Sequence, residues 1–556
     1  MNREWYKDIA FYQIWPRSFK DGNGDGIGDL WGVYEKLDYI KSLGVGGIWF
    51  SPLYASPNAD FGYDISDYYQ ISPDYGDLEI FDKVLNKAHS LGLKVVMDLV
   101  INHTSIEHEW FQKSRRGIEP YTDYYIWRAA RDDGGKPNNW QGIFESECWQ
   151  WDDVAGKYYL HLFSSGQPDL NMDNPLVRKE VENIMRFWLS RGVDGFREDV
   201  ITFISKTEGL PDDGFVIGLR GMRFYESGPR IHEYLQQYRR ILEQYPDRFV
   251  VGEAPMMTPK KALSFVSGDK RDLDMMFHFQ HMEADCFLTE YLRLPFNLKK
   301  LKRAFSRWQN RLYGKGWNAL YLENHDHPRV ISRYGSEKYR VESGKMLACA
   351  FLFQQGTPFL YQGQEIGMTN ISLPKIEDYA DCVAQDVYKR CKRMHLPDRA
   401  AMALIRPATR DSSRTPVQWS SAKNGGFSEA EPWFYVNQNY PEINVEAAER
   451  DPDSLLHFYR KLLKYRKGND VILKGKYREY EKQSRKLYVY TREHKGDGIL
   501  VVCSFTEKPV AFQFPKKLKV ETMTPLFSNY SMEAAKPEGF ITRPYEVRVY
   551  SYKTKG

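Results

Sequence analysis

Apolar residues recur along most of this chain in two alternating rhythms: amphipathic stretches of helical period, then short and nearly continuous apolar runs of the kind that form buried strands. Residues 9–19 read as the first strand. A helix over residues 30–43 leads to a strand at 45–53, and a helix over 79–91 to a strand at 93–103. Between 104 and 173 the rhythm stops in a segment rich in Trp, Tyr, Gly and Asp. It resumes with a helix whose buried face is Val181, Ile184, Met185, Trp188 and Leu189, with Gly192 where a C-cap belongs. Four further strands follow the one at 192–200: residues 247–253, 273–279, 318–326 and 357–365. Eight strands separated by helices close a parallel (β/α)8 TIM barrel. An open doubly wound sheet is the alternative, but no phosphate-binding glycine fingerprint follows the first strand. From residue 471 the helices give way to alternating strands, which predicts an antiparallel β-sandwich. The expected organisation is therefore a catalytic barrel of residues 1–103 and 174–470, an inserted domain at 104–173 and a C-terminal sandwich domain at 471–556. A polar, partly helical stretch at 374–414 precedes the last helix of the barrel.

Composition changes this picture little. The formal charge of +4 on 556 residues gives no reason to expect nucleic acid or an anionic membrane as a partner. Residues 1–8 lack the apolar run of a secretory signal and no stretch approaches a membrane span, so a cytoplasmic location and no membrane partner are expected. Cys148, Cys286, Cys349, Cys382, Cys391 and Cys503 form no Cys-x-x-Cys pair, and in a chain of this size they read as free thiols.

The candidate chemistry lies at strand ends. In Gly195-Phe-Arg-Glu-Asp199, strand alternation puts Arg197 and Asp199 on one face and Phe196 and Glu198 on the other. A guanidinium beside Asp199 favours the ionised acid, which can serve as a nucleophile or simply form a structural ion pair. Glu253 and Asp326 end two further strands, while Asp98, Asn102 and His103 end the third. Barrel sites collect at that rim. Three acids there are costly to ionise together, so at least one is expected to keep its proton, and one carboxylate beside one carboxylic acid is what a retaining glycosidase requires. Elsewhere, Asp21, Asn23, Asp25 and Asp29 alternate with glycines, and Ile27 would offer a carbonyl. Such a loop suits calcium, a hard cation. Gly32 stands where an EF-hand has its bidentate Glu, so this is either a metal loop of another kind or an unliganded acidic turn.

Over nearly its whole length the sequence resembles the alpha-amylase superfamily (glycoside hydrolase family 13), in its oligo-1,6-glucosidase and alpha-glucosidase branch. The resemblance is carried by Asp98-Leu-Val-Ile-Asn-His103, Gln167-Pro-Asp-Leu-Asn171, Gly195-Phe-Arg-Glu-Asp199, Gly252-Glu-Ala-Pro255, Glu323-Asn-His-Asp326 and Gly356-Thr-Pro-Phe-Leu-Tyr-Gln-Gly363. It implies that Asp199 is the nucleophile, Glu253 the acid and base, and Asp326 a third acid that grips sugar hydroxyls. It further implies that Arg197, His103 and His325 donate to the bound glucose, that Tyr63 stacks on its face, and that Asp60 with Arg414 caps its O4. A capped O4 means attack on non-reducing ends. Phe144, Phe163 and Gln167 would line the pocket, Phe144 and Phe163 being equally readable as core. The Asp21 to Asp29 loop matches a structural calcium loop of this branch, and catalysis needs no cofactor.

Within the branch, Val200 after the nucleophile accompanies activity on alpha-1,6 bonds. The expected substrates are therefore isomaltose and isomalto-oligosaccharides, with alpha-1,4 bonds or sucrose as further candidates, acted on by a monomer. Glu198, Met256, Met257 and His327 depart from the pattern. Glu198 is expected to face the helix layer, and the other three to border the leaving-group side. The alternative is a sucrose isomerase or transglucosidase; the isomerases use the same acids but carry Arg-Leu-Asp-Arg-Asp where this chain has Arg293-Leu-Pro-Phe-Asn297. Trehalose-6-phosphate hydrolases share most motifs and need cations at the second sugar. A non-catalytic relative, the heavy subunit of amino-acid transporters, has a membrane helix and lacks the acids. An Asp199 to Glu253 carboxyl separation of about 5–5.5 Å is expected for retention.

Overall fold

Eight short strands form a closed ring in the computed structural model, which describes residues 4–269, 271–532 and 538–555. In chain order they are β1 Phe11–Ile14, β2 Gly47–Phe50, β3 Lys94–Leu99, β4 Gly195–Glu198, β5 Phe249–Glu253, β6 Met275–Phe277, β7 Ala319–Leu320 and β8 Thr357–Tyr361. Neighbours pair in parallel from β1 round to β6, and β8 pairs with both β7 and β1. A parallel bridge from Met276 to Asn318 closes the ring between β6 and β7. The predicted (β/α)8 barrel is what forms. Residues 1–3, 270, 533–537 and 556, which fall inside the predicted segments, lie outside the described residues.

Several strands are shorter than their apolar runs, for local reasons. Pro16 has no N–H to give a ladder and starts a 3-10 turn, so β1 stops at Ile14. The run after Leu99 stays apolar because Val100 and Ile101 are fully buried in the core, although they leave the sheet. Helix boundaries follow their caps. The Asp29 side chain accepts from Gly32 N–H at the start of Leu30–Ser42, and Asn174 caps Pro175–Arg191. Gly192 ends that last helix at φ 115°, a left-handed conformation that favours glycine.

The barrel interior is packed, not hollow. Phe11, Trp49, Val96, Phe249, Val251, Phe277 and Phe359 fill it, with Phe11 stacked on Phe359 at 5.0 Å. A ligand can therefore sit only at a rim. Between β3 and β4, Trp127–Arg128, Lys157–Leu160 and Trp149–Asp152 form a three-stranded antiparallel sheet over that rim. The C-terminal part is a five-stranded antiparallel sheet, with Ala511–Phe512 and Phe540–Ile541 paired separately. Leu487, Val489, Leu500, Val502, Phe512 and Tyr550 pack together there. Among the described residues no helix is long and apolar enough to cross a membrane, and all six cysteines are free thiols.

Candidate active site

Register brings the acids together. Arg197 lies opposite Asp98 on β3 and Val251 on β5, at the carboxyl end of the barrel. Its Nη1 donates to Asp98 Oδ1 and Asp199 Oδ1, both at 2.6 Å, and its Nη2 forms an ion pair with Glu253 Oε2 at 2.8 Å. The Asp199 N–H still bonds to Leu99 O (3.1 Å), so the chain stays extended one residue past β4. Arg197 is 1 % exposed and lies over the rings of Trp49 and Tyr63. One buried guanidinium thus holds three carboxylates.

That sharing alters the expected electrostatics. Burial pushes the Asp199 carboxyl well above the carboxylate range and Arg197 opposes it, but Glu253 and Asp98 add to the upward shift. Asp98 is likewise pushed up to about 6 by burial, against the pull of Arg197. The sequence led us to expect Arg197 to keep Asp199 ionised. Instead its charge is divided, and Asp98 and Asp199 titrate together, both held above the usual carboxylate range. Asp326 behaves differently. Burial opposes its ionisation, yet His325, Arg410 and Arg414 outweigh burial and hold it well below the usual range.

His325 is the hinge of the pocket wall. Gln13 Nε2 donates to its Nδ1 (2.7 Å), which leaves Nε2–H to face Tyr63 OH (2.7 Å) and Asp326 Oδ2 (2.9 Å). Tyr63 stacks on its ring at 5.3 Å and also donates to Asp98 Oδ2 at 3.2 Å. Burial lowers His325 to about 4, so at neutral pH the ring is an uncharged donor. His103 is lowered to about 4 by burial as well. Its Nε2 lies 3.2 Å from both Tyr63 O and Gln167 Nε2, and Gln167 reaches Asp60 Oδ2 at 3.3 Å. Phe163 packs against His103, and Phe144 against Phe163. Phe163 belongs to a buried hydrophobic cluster, and Phe144, partly buried, packs against it. Val200 is buried beside Phe163 and Phe203.

Two arginines four residues apart divide work expected of Arg414 alone. Arg414 Nη2 bonds to Asp326 Oδ1 (3.0 Å), not to Asp60. Asp60 is met by Arg410 Nη2 (3.4 Å), whose Nη1 also lies 3.5 Å from Asp326 Oδ1 and whose Nε bonds to Asp381 at 2.8 Å. Arg410 further lies over the Phe144 ring and contacts Cys382 Sγ at 3.2 Å. Sequence reading missed Arg410, Asp381 and Cys382, and gave Asp98 no role. The only signal was the Arg410 to Arg414 spacing, one helical turn across Asp411–Arg414.

The departures sort unevenly. Glu198 does face the helix layer, but its Oε2 has no partner and burial pushes it up to about 8. Met257 is fully buried in the core, so it does not border a leaving group as expected. Met256 is exposed, and His327 is buried with Nδ1 3.2 Å from Glu290. The Asp21 to Asp29 loop is closed by its own amides: Asp21 accepts from Gly24 and Gly26 N–H, Asp29 from Gly22 and Asn23 N–H, and Asp25 from Ile27 N–H. Among the described residues no group of three His, Cys, Asp or Glu side chains is spaced to hold a metal ion. Any cation here would need the Asn23 carboxamide and backbone carbonyls beside the acids.

Comparison with known proteins places this geometry. The alpha amylase catalytic domain model matches residues 13–475. The chain is 47% identical to an oligo-1,6-glucosidase of Parageobacillus thermoglucosidasius, over 100% of both chains. The crystal structure of Bacillus licheniformis trehalose-6-phosphate hydrolase superposes with TM-score 0.94 at 42% identity, covering 99% of this chain and 100% of that one. Isomaltulose synthase of Klebsiella sp. LX3 superposes with TM-score 0.94 at 36% identity, covering 100% of each.

Proposed function

The chain belongs to the alpha-amylase family and is a glycoside hydrolase, and from that premise we propose that it is a retaining, exo-acting alpha-glucosidase of the oligo-1,6-glucosidase type. Isomaltose and isomalto-oligosaccharides are its substrates. One observation carries the reading: Asp199 and Glu253, from adjacent strands, grip the two ends of a single buried guanidinium at the open rim. In the mechanism the proton that Asp98 and Asp199 share rests on Asp98. Asp199 therefore attacks C1 of the terminal glucose as a carboxylate while Glu253 gives its proton to the glycosidic oxygen, and the shortened sugar leaves. Esterification removes the negative charge of Asp199 beside Glu253, which favours the carboxylate form of Glu253. That carboxylate takes a proton from water as the water oxygen attacks C1, releasing glucose and restoring both acids. Asp326, held ionised by Arg414 and Arg410, binds hydroxyls of the distorting ring. Asp60, Arg410, Gln167 and His103 close the pocket beyond that ring, which supports attack on chain ends.

The second reading, trehalose-6-phosphate hydrolysis, is favoured by the superposition with such an enzyme. It needs free cations on the leaving-group side, and Arg293 and Arg333 are both committed to Asp285. Isomerisation of sucrose is supported less. Asn297 of the divergent stretch caps the helix Leu298–Leu312, and Phe296 packs on Tyr334. Incubation with isomaltose, maltose, sucrose and trehalose-6-phosphate, followed by NMR of the first anomer released, tests all of these. Fastest release of alpha-glucose from isomaltose is expected; beta-glucose would overturn retention, and preference for the phosphorylated disaccharide would move the assignment to the second reading.

We also read the chain as a cytoplasmic monomer whose Asp21 to Asp29 loop takes calcium. Asp21, Asn23, Asp25 and Asp29 with the Ile27 carbonyl would hold it, and each carboxylate keeps lone pairs beyond those given to the loop amides. Calcium would crosslink the loop, so adding it to chelator-treated protein should raise Tm. No change in Tm would leave an acidic turn.

A further inference from the structure

We propose that the backbone N–H of Val200, aimed by a left-handed turn immediately after the nucleophile, is the group that orients Glu253 so that its transferable proton sits on Oε1. The inference rests on the glycosidase reading and adds a positioning residue to it. Glu253 Oε2 accepts from Val200 N–H at 3.1 Å and forms an ion pair with Arg197 Nη2 at 2.8 Å. Among the described residues Oε1 bonds to no protein group. A hydroxyl placed on Oε2 would set its hydrogen against the Val200 N–H and the guanidinium charge, so the neutral acid carries its proton on Oε1.

This arrangement is built, not incidental. Val200 has φ 35° and ψ 40°, a region that a β-branched residue enters only at a cost of about 1–3 kcal/mol. The surroundings impose it. The Val200 side chain is buried in a hydrophobic cluster that includes Phe163, Phe203 and Tyr225, and Phe203 N–H bonds back to Val200 O at 2.8 Å. Gly252, next to Glu253, lets this turn approach β5, since a Cβ there would lie 2.7 Å from Ile201 Cγ2. Without the turn the chain would continue extended, and the amide of residue 200 would not meet Glu253. The side chain at 200 and the amide at 200 therefore do different things: one shapes the wall, the other fixes which oxygen of the acid is the donor.

The test removes the N–H alone. Full-length protein carrying alpha-hydroxyvaline at position 200 replaces that amide by an ester. Hydrolysis of isomaltose, whose alkoxide leaving group needs a proton, should lose about 10- to 100-fold in kcat/KM, the worth of one hydrogen bond to a charged group. Hydrolysis of alpha-glucosyl fluoride, which needs little protonation, should stay within about 3-fold on the same reasoning. Isomaltose activity unchanged, or both substrates falling together, would overturn the proposal. Neutron diffraction of the unmodified, deuterated protein gives an answer that does not depend on the variant folding: deuterium on Oε1 supports the proposal, and deuterium on Oε2, or on neither oxygen in crystals grown below about pH 5, refutes it. Should the unmodified protein cleave neither sugar, the glycosidase reading fails instead, and the neutron map still decides where the proton lies.

Discussion

Strand β4 carries buried acids on both faces, and both resist ionisation: Asp199 toward the rim and Glu198 toward the helices. Burial is the largest cause in each case. What separates them is company and access. Asp199 shares Arg197 with Asp98 and Glu253 and lines a pocket wall of Tyr63, His325 and His103. Glu198 is 1 % exposed, is faced by Asp272, Asp274, Arg239 and Tyr238, and has one oxygen without a partner. A displaced titration therefore reports burial, and only the geometry around it separates a working acid from a misplaced one.

Substitutions on the rim face should produce the largest losses. Asp199→Asn removes the attacking oxygen, and steady-state assays should show isomaltose hydrolysis down at least about 10^4-fold. Its Tm should not fall, because one crowded carboxylate has become neutral; activity within tenfold of the parent would break the assignment. Arg197→Lys keeps the charge but loses the fork that serves three carboxylates, so about 10^2-fold in kcat and about 3 kcal/mol of stability should go together. A lysine variant with unchanged urea midpoint would mean the cluster does not need its arginine. Arg410→Lys lies further from the reacting bond and contacts Asp60, Asp326 and Asp381. It should act mostly on KM, raising it about tenfold with little change in kcat, as expected for lost ground-state binding.

The same strand shows what could be read in advance. Alternation about Arg197 correctly placed Asp199 inward and Glu198 outward, and the Gly192 cap and apolar runs gave the barrel, because these signals are local and periodic. Contacts made across long sequence separations by irregular segments carried no such signal. Arg410 reaches Asp60 across 350 residues, from a loop with no periodic pattern. The division of Arg197 among three acids could not be inferred from its neighbour Asp199 alone. Met257 looked like a pocket residue from its place after Glu253, yet the chain turns it into the core. The left-handed Val200 was hidden for a related reason: a β-branched residue predicts extended backbone, and only packing overrides it.

The smallest effect on catalysis, and the one that most sharpens the contrast between the faces, should come from Glu198→Leu. Glu198 is pushed from 4.5 up to about 8 by burial, with Asp272 and Asp274 adding and Arg239 opposing. Its folded value lies above its unfolded one, so the native state holds a proton that the unfolded chain has released. Stability contributed by this group is therefore intact below about pH 4.5, declines as pH rises toward about 8, and stays low beyond it. Leucine removes the penalty and fills the site with apolar surface. The variant should match the parent near pH 4 and exceed it at pH 8 by on the order of 2–4 kcal/mol, seen as a Tm difference that widens with pH. Hydrolysis of isomaltose should stay within about threefold, since the side chain points away from the reacting sugar. A Tm gap that is flat in pH would show that Glu198 is ionised and paired in the folded protein, and the distinction drawn between the two faces of β4 would then have no thermodynamic content.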